Sequence, residues 1–298
     1  MGRLRPKGNP RFPLNRVMVL GGLLVFSSFA FTGIFLRAFG ARGLLAWLQG
    51  LGFLLCFLGW IRPRQNPDLS LAASAPERSP GATPVQSRRR LVRRRLVTWG
   101  AGLVSIGYFI IGSPQLFLLV GPAIIEAADA LQTTGWIVAA MGFLIVFTGL
   151  GGGRLTVAGL LVLLGIILGP NVAWFFGIGG PLPFFSYLIW TLSFVLQGVG
   201  FLIAFLRWPR VRDDATSNAG PFPRSLLNLL RKSMVTLGAP LVLAGYIMLG
   251  SLIWLVPASR YVTNPFLGIV ATVGWVLSAI GFLLAFLGLA MTRLVEVE

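Results

Sequence analysis

The sequence predicts an all-α polytopic integral membrane protein, a helical bundle of eight transmembrane helices with both termini in the cytoplasm. The 298-residue chain is 56% hydrophobic and only 11% charged, with a mean hydropathy of +0.83. Several apolar runs reach the ~20 residues that a helix needs to cross a bilayer. A short motif, which we call the GFL motif, recurs inside such runs as GFLLCF at 52–57, GFLIVF at 142–147, GFLIAF at 200–205 and GFLLAF at 281–286.

The four copies of the GFL motif divide the chain into four related transmembrane hairpins. A segment rich in Pro, Ser, Ala and Arg separates the first two hairpins and is predicted to be a disordered cytoplasmic linker. Two amphipathic stretches, 121–133 and 225–232, are expected to form short helices at the membrane interface. In order, the predicted parts are a basic tail (1–16), the first hairpin (17–61), the linker (62–96), the second hairpin (97–150), the third (155–206), a cytoplasmic loop (207–234), the fourth hairpin (235–292) and a short tail (293–298).

The basic residues predict the orientation. All but three of the 25 lysines and arginines fall on one side of the predicted topology, and the exceptions are Arg37, Arg42 and Arg260. Because cytoplasmic loops carry the excess of basic residues, that side is assigned to the cytoplasm of a bacterial-type inner membrane. The net charge of +17 is therefore assigned to orientation and to anionic lipid, not to nucleic acid. The expected lipid contacts are the arginines directly before the third span, Arg88, Arg89, Arg90, Arg93, Arg94 and Arg95.

A longer repeat relates the two halves of the chain. VTWGAGLVSIGYFIIGS at 97–113 matches VTLGAPLVLAGYIMLGS at 235–251 without gaps, and a weaker match links 19–26 with 157–164. We therefore interpret the chain as a two-span hairpin that was duplicated into four spans and then duplicated again into eight. Halves with an even number of spans keep the same orientation, which predicts a parallel repeat about an axis along the membrane normal.

Glycines at heptad spacing predict how the helices pack. Small residues let membrane helices approach closely, and a seven-residue period favours a left-handed crossing near +20°. Each motif also carries two phenylalanines four residues apart, which are expected to fill the groove beside the glycine contact. A glycine-lined substrate pathway is the alternative. The expected packing glycines are Gly52, Gly59, Gly135, Gly142, Gly149, Gly200, Gly274, Gly281 and Gly288.

Two pairs of polar residues occupy matched positions within the spans. Gln49 and Gln197 each lie three residues before a motif glycine, and Tyr108 and Tyr246 are matched in the longer repeat. One interpretation is interhelical hydrogen bonding by the glutamines and core packing by the tyrosines. The other is a polar intramembrane site on the pseudo-symmetry axis that binds a neutral head group or small solute.

Residues that carry catalysis or bind metals are scarce. The chain has no histidine and a single cysteine, Cys56, so an internal disulfide is excluded and the commonest metal ligand and general base are missing. No catalytic residue, metal or cofactor is predicted. Glu126 and Asp129 are the only candidate bases for an enzyme acting on lipid, and we expect both at the outer surface.

The sequence therefore favours a non-enzymatic structural or accessory subunit, whose partner is another membrane protein or a second copy of itself. The alternative is a carrier for a neutral or lipid-like small molecule, with the pathway between the pseudo-symmetric halves. A hydrated cavity lined by the matched glutamines or tyrosines would favour the carrier. A closed bundle with a flat, small-residue face would favour the subunit.

Overall fold

A computed structural model describes residues 15–34, 39–61, 84–117, 125–151, 153–176, 183–216, 225–255 and 265–291. Within these ranges every regular element is an α-helix. The prediction of an all-helical chain with eight long helices is confirmed for this part of the protein. The helices are α1 (Arg16–Ile34), α2 (Phe39–Ile61), α3 (Pro84–Phe117), α4 (Ile125–Leu150), α5 (Gly153–Phe176), α6 (Pro183–Thr216), α7 (Ser225–Leu255) and α8 (Pro265–Met291).

Seven of these helices are long and apolar enough to cross a membrane. The exception is α5, whose apolar stretch among the described residues is the shorter Gly153–Gly169. Large apolar side chains such as Leu20, Leu160 and Phe266 point outward from the bundle. Exposure on this scale is unusual for a protein surrounded by water, so length, composition and surface together support a multi-pass membrane protein.

Helix α3 begins inside the segment that the composition predicted to be a linker. It runs unbroken from Pro84 through the arginine cluster into the apolar run, so residues 84–96 are helical. Proline suits the first turn of a helix because its φ is already helical and its missing N–H has no partner there. Arginine is a strong helix former, so the cluster continues the helix. The remainder of that segment, 62–83, lies outside the described residues.

The two stretches expected to form separate interfacial helices belong to longer helices. From Ile125 onward the first continues without a break into α4, and 225–232 forms the opening turns of α7. Neither junction contains a proline, and the one glycine, Gly135, costs only about 1 kcal/mol within a helix. Helix α6 likewise extends to Thr216, into the predicted loop 207–234.

The helices form a closed ring in chain order. Each packs against the helices before and after it, and α1 also packs against α8. Neighbours run antiparallel: Gly112 of α3 lies against Gly43 near the start of α2, whereas Gly50, further along α2, lies against the earlier residue Tyr108. We call the end of the bundle that bears Arg93 and Arg95 the arginine end, and the other end the distal end.

A tight turn joins α4 to α5 at the arginine end. Gly151 follows α4 with a φ of 115°, the left-handed conformation in which glycine commonly ends a helix. The guanidinium of Arg93 lies beside this turn, since a Cβ at Gly151 would be 3.3 Å from its Nη1. A cation near a helix C-terminus interacts favourably with the helix dipole.

The phenylalanines of the four GFL motifs meet at the centre of the ring. Each of the eight is at most 3% exposed. We call them the phenylalanine core: Phe53, Phe57, Phe143, Phe147, Phe201, Phe205, Phe282 and Phe286. Their rings touch edge to face in a circuit through α2, α4, α6 and α8, with centroid distances of 5.1 Å (Phe53–Phe143), 5.4 Å (Phe143–Phe201), 5.0 Å (Phe201–Phe282) and 5.6 Å (Phe53–Phe282). These side chains therefore occupy the bundle axis.

Candidate functional site

The nine predicted packing glycines lie at close contacts between neighbouring helices. A Cβ at Gly142 would be 2.5 Å from the backbone nitrogen of Val104, and one at Gly281 would be 2.5 Å from that of Val242. The nearest atoms at Gly52 and Gly200 are at 2.8 Å and 2.6 Å. Carbon atoms do not approach backbone this closely, so a larger residue must push the helices apart. At Gly59, Gly135, Gly149, Gly274 and Gly288 the corresponding distances are 2.7–3.0 Å.

A cavity of about 470 Å³ lies in the distal half of the bundle. Its volume falls within the range of small-molecule sites. All eight helices contribute to its wall, so it surrounds the axis of the ring. The lining residues are Phe29, Arg42, Gln49, Tyr108, Gln132, Thr133, Trp136, Ile166, Gly169, Trp190, Ser193, Phe194, Gln197, Tyr246 and Trp275.

All four residues of the predicted polar site line this one cavity: Gln49, Gln197, Tyr108 and Tyr246. The glycine after each glutamine is the point where the tyrosine-bearing helix crosses. A Cβ at Gly50 would lie 2.8 Å from the Cβ of Tyr108, and one at Gly198 would lie 3.1 Å from the Cβ of Tyr246. The same local contact thus brings a glutamine and a tyrosine together in both halves.

The two glutamines differ in their hydrogen bonds. The Gln197 amide donates to the Ser193 hydroxyl at 3.3 Å, and that hydroxyl donates to the Gly165 carbonyl at 2.7 Å. The residue Gln49 is only 8% exposed, and its amide makes no hydrogen bond within the described part of the chain. The same holds for the hydroxyls of Tyr108 and Tyr246, whose side chains are 5% and 6% exposed.

These polar groups face the cavity, so they can form hydrogen bonds only with what fills it. Gln49 is the ninth residue of the membrane-compatible stretch Ala41–Ile61, so any such partner lies near the middle of the length of that stretch. Water or a bound molecule with hydrogen-bonding groups would satisfy all three side chains.

The cavity has a polar outer part and an aromatic floor. Arg42 precedes Gln49 by seven residues on α2, which places it about 10 Å further toward the distal end. Gln132 and Thr133 of α4 also line this outer part. At the floor, Tyr246 contacts Phe201 of the phenylalanine core with ring centroids 6.0 Å apart. The core therefore closes the cavity toward the arginine end.

Several lining residues were not anticipated from the sequence. The tryptophans Trp136, Trp190 and Trp275 come from three helices, and helical periodicity does not show which faces of distant helices meet. The sequence did single out Ser193, because it lies seven residues before the packing glycine Gly200, where the heptad spacing would place another glycine. In the structure it is fully buried, and its Oγ would meet a Cβ added at Gly169 at 2.6 Å.

The structure describes only some of the arginines predicted to contact lipid, and neither side chain of the two candidate bases. Arg93, Arg94 and Arg95 are exposed on α3 at the arginine end. The side chains of Arg88, Arg89 and Arg90 lie outside the described residues, as do those of Glu126 and Asp129.

Metal-binding groups are also few in the structure. In the ranges that it describes, no three His, Cys, Asp or Glu side chains cluster as metal ligands would. Cys56 is a buried free thiol. Comparison with known proteins assigns no family, since no protein-family model, curated protein or solved structure matches the chain.

Proposed function

We propose that the protein is a non-enzymatic multi-pass membrane protein that binds a small neutral or lipid-like molecule in the distal cavity and acts as its carrier. The observation that supports this most directly is the convergence of the four matched polar residues on one cavity. A subunit that used its glutamines only to bridge helices would satisfy them within the protein. The amide of Gln49 instead has no partner among the described residues.

The lining of the cavity favours an uncharged ligand in its deeper part. There the wall consists of amides, hydroxyls and aromatic rings, and the described cationic side chain, Arg42, belongs to the outer part. An ion carried to mid-bilayer depth would need an opposite charge nearby, because the desolvation of a charge is costly there. An uncharged ligand needs only hydrogen bonds and aromatic contacts.

The proposal includes an origin by duplication and an orientation. Equivalent contacts support a bundle of four related hairpins with halves in parallel orientation: Gly142 meets Val104 as Gly281 meets Val242. The distribution of basic residues supports cytoplasmic termini. In that orientation the cavity faces the outside, and the phenylalanine core separates it from the cytoplasm. A carrier of this design releases its ligand inward only when the core parts.

Substitution at the outer part of the cavity tests the binding function. Thr133 lines the cavity, whereas the adjacent Thr134 is exposed and does not. Native mass spectrometry in mild detergent should show a small uncharged molecule retained by the wild type and by Thr134→Trp, but not by Thr133→Trp. Wild-type protein that retains nothing, or equal retention by both variants, would contradict the proposal.

The role as an accessory subunit, which the sequence favoured, stays a prediction. It requires a second membrane protein, or a second copy of this chain, that co-purifies with the protein in mild detergent. Anionic lipid is a further expected partner, and the exposed Arg93, Arg94 and Arg95 support that contact.

A further inference from the structure

We propose that the cavity recognises a flat, uncharged ring with hydrogen-bond acceptors on two opposite edges, the pattern of a 1,4-quinone. This inference rests on the proposed binding function and names the class of its ligand. Three features of the cavity carry it: two hydroxyl donors from opposite helices, two indoles from another pair of opposite helices, and an additional amide on one side.

The two hydroxyl donors belong to helices on opposite sides of the ring. Tyr108 belongs to α3 and Tyr246 to α7, and these helices lie four positions apart in the closed ring of eight. Both side chains are more than nine-tenths buried and line the cavity, and neither hydroxyl has a hydrogen-bond partner in the described structure. A tyrosine hydroxyl donates one hydrogen bond. A ligand that satisfies both donors at once therefore carries an acceptor on each of two opposite edges.

Two of the three tryptophans that line the cavity belong to a second pair of opposite helices. Trp136 of α4 and Trp275 of α8 each follow a packing glycine, Gly135 and Gly274, and their helices are also four positions apart. Both tryptophans line the cavity. Aromatic rings favour offset stacking or edge-to-face contact with another ring, so this pair of indoles favours a planar molecule over a branched aliphatic one. Electron-poor rings such as quinones stack well on electron-rich indoles.

Gln49 makes the two edges unequal. Its amide can add a second hydrogen bond to one acceptor, whereas the equivalent amide of Gln197 donates to Ser193. The cavity therefore presents three donors without a partner among the described residues, two on one side and one on the other. A ring with two carbonyl oxygens can accept a hydrogen bond from each of these donors without bringing charge into the cavity.

Binding of two matched probes tests the acceptor pattern. Menadione is a 1,4-naphthoquinone, and 2-methylnaphthalene has the same carbon skeleton without the carbonyl oxygens. Equilibrium dialysis against the same detergent without protein removes the contribution of micelle partitioning. We expect saturable binding of menadione to the wild type, at least tenfold tighter than that of 2-methylnaphthalene.

Removal of the hydroxyls should weaken binding of menadione alone. Tyr108→Phe and Tyr246→Phe should each weaken it about fivefold, as expected for the loss of one hydrogen bond, and the double variant by more than either. Binding of 2-methylnaphthalene should be unchanged, which also shows that the variants are folded. Tyr187→Phe is the control, because Tyr187 does not line the cavity.

The outcomes separate this inference from the proposed function. Equal affinity of the two probes for the wild type would overturn the acceptor pattern but leave a cavity that binds flat apolar molecules. Tighter binding of naphthalene-2-carboxylate than of menadione would overturn the preference for an uncharged ring. If neither uncharged probe binds while native mass spectrometry shows another retained molecule, the inference fails and the binding function stands.

Discussion

The ring of Tyr108 stacks on the ring of Phe53, with centroids 5.8 Å apart and planes 27° apart. Tyr108 belongs to the cavity and Phe53 to the phenylalanine core, so the two regions are in direct contact. In the other half, Tyr246 also contacts a core ring, that of Phe201, in a tilted arrangement with centroids 6.0 Å and planes 39° apart. Movement of the core would therefore shift both tyrosine hydroxyls. In the proposed carrier, this contact would couple ligand binding to opening of the bundle axis.

Truncation of a core phenylalanine should strongly destabilise the protein. Phe282 contacts core rings from α2 and α6, so Phe282→Ala leaves a void at the axis. We expect a loss of about 3–5 kcal/mol in the free energy of unfolding in detergent. Phe266→Ala on the same helix is the control, because Phe266 is 62% exposed. Equal losses at the two positions would contradict a packed core.

The packing glycines should not tolerate large side chains. At Gly142 and Gly281 a Cβ would already lie 2.5 Å from backbone nitrogen of the neighbouring helix. Gly142→Leu and Gly281→Leu should each cost about 1–3 kcal/mol of unfolding free energy. The adjacent exposed residues supply controls, and Met141→Leu and Ile280→Leu should be nearly silent. Comparable tolerance at glycines and controls would exclude close packing there.

How much of the fold the sequence could predict depended on how far apart in the chain the interacting residues lie. Helix number and the glycine contacts follow from local composition and from period, which the sequence displays directly. The convergence of Phe53, Phe143, Phe201 and Phe282 was not predicted, because one helix shows which face is apolar but not which distant helix meets it. For the same reason, the sequence did not show that Trp136 lines the cavity.

Helix boundaries were less predictable than the helices themselves. Within the predicted linker a helix begins at Pro84, although proline disfavours helix interiors. For the polar site, matched positions identified Gln49 and Gln197 as equivalent. Their different hydrogen bonds depend on Ser193, which has no polar counterpart at the equivalent position in the first half, Leu45.

The arginine cluster should enrich anionic lipid around α3. Arg93, Arg94 and Arg95 are exposed, and each basic residue near an anionic surface contributes about 1 kcal/mol, an effect that salt screens. Replacing all six arginines of the cluster by glutamine should abolish the enrichment measured by lipid co-isolation from mixed bilayers. Replacement by lysine should preserve it. Unchanged enrichment in the glutamine variant would remove the lipid-binding role.

The proposed orientation is open to chemical labelling. In a Cys56→Ala background, Ser74→Cys and Ser217→Cys should resist a membrane-impermeant thiol reagent in intact cells, and Ser259→Cys should react. The expected pattern follows from the excess of basic residues on the cytoplasmic side. Permeabilised cells supply the control, since all three variants should then react. Labelling of Ser74→Cys from outside would overturn the orientation.

The most direct test of the central claim combines Gln49→Leu with Gln197→Leu and measures the small molecule that the purified protein retains. Stability should change little, because Gln49 has no described partner and Ser193 keeps its bond to the Gly165 carbonyl. If the cavity is a binding site, native mass spectrometry should show the retained molecule lost from the double variant at an unchanged unfolding temperature. Retention at the wild-type level by a folded double variant would contradict the proposal that these side chains bind a ligand.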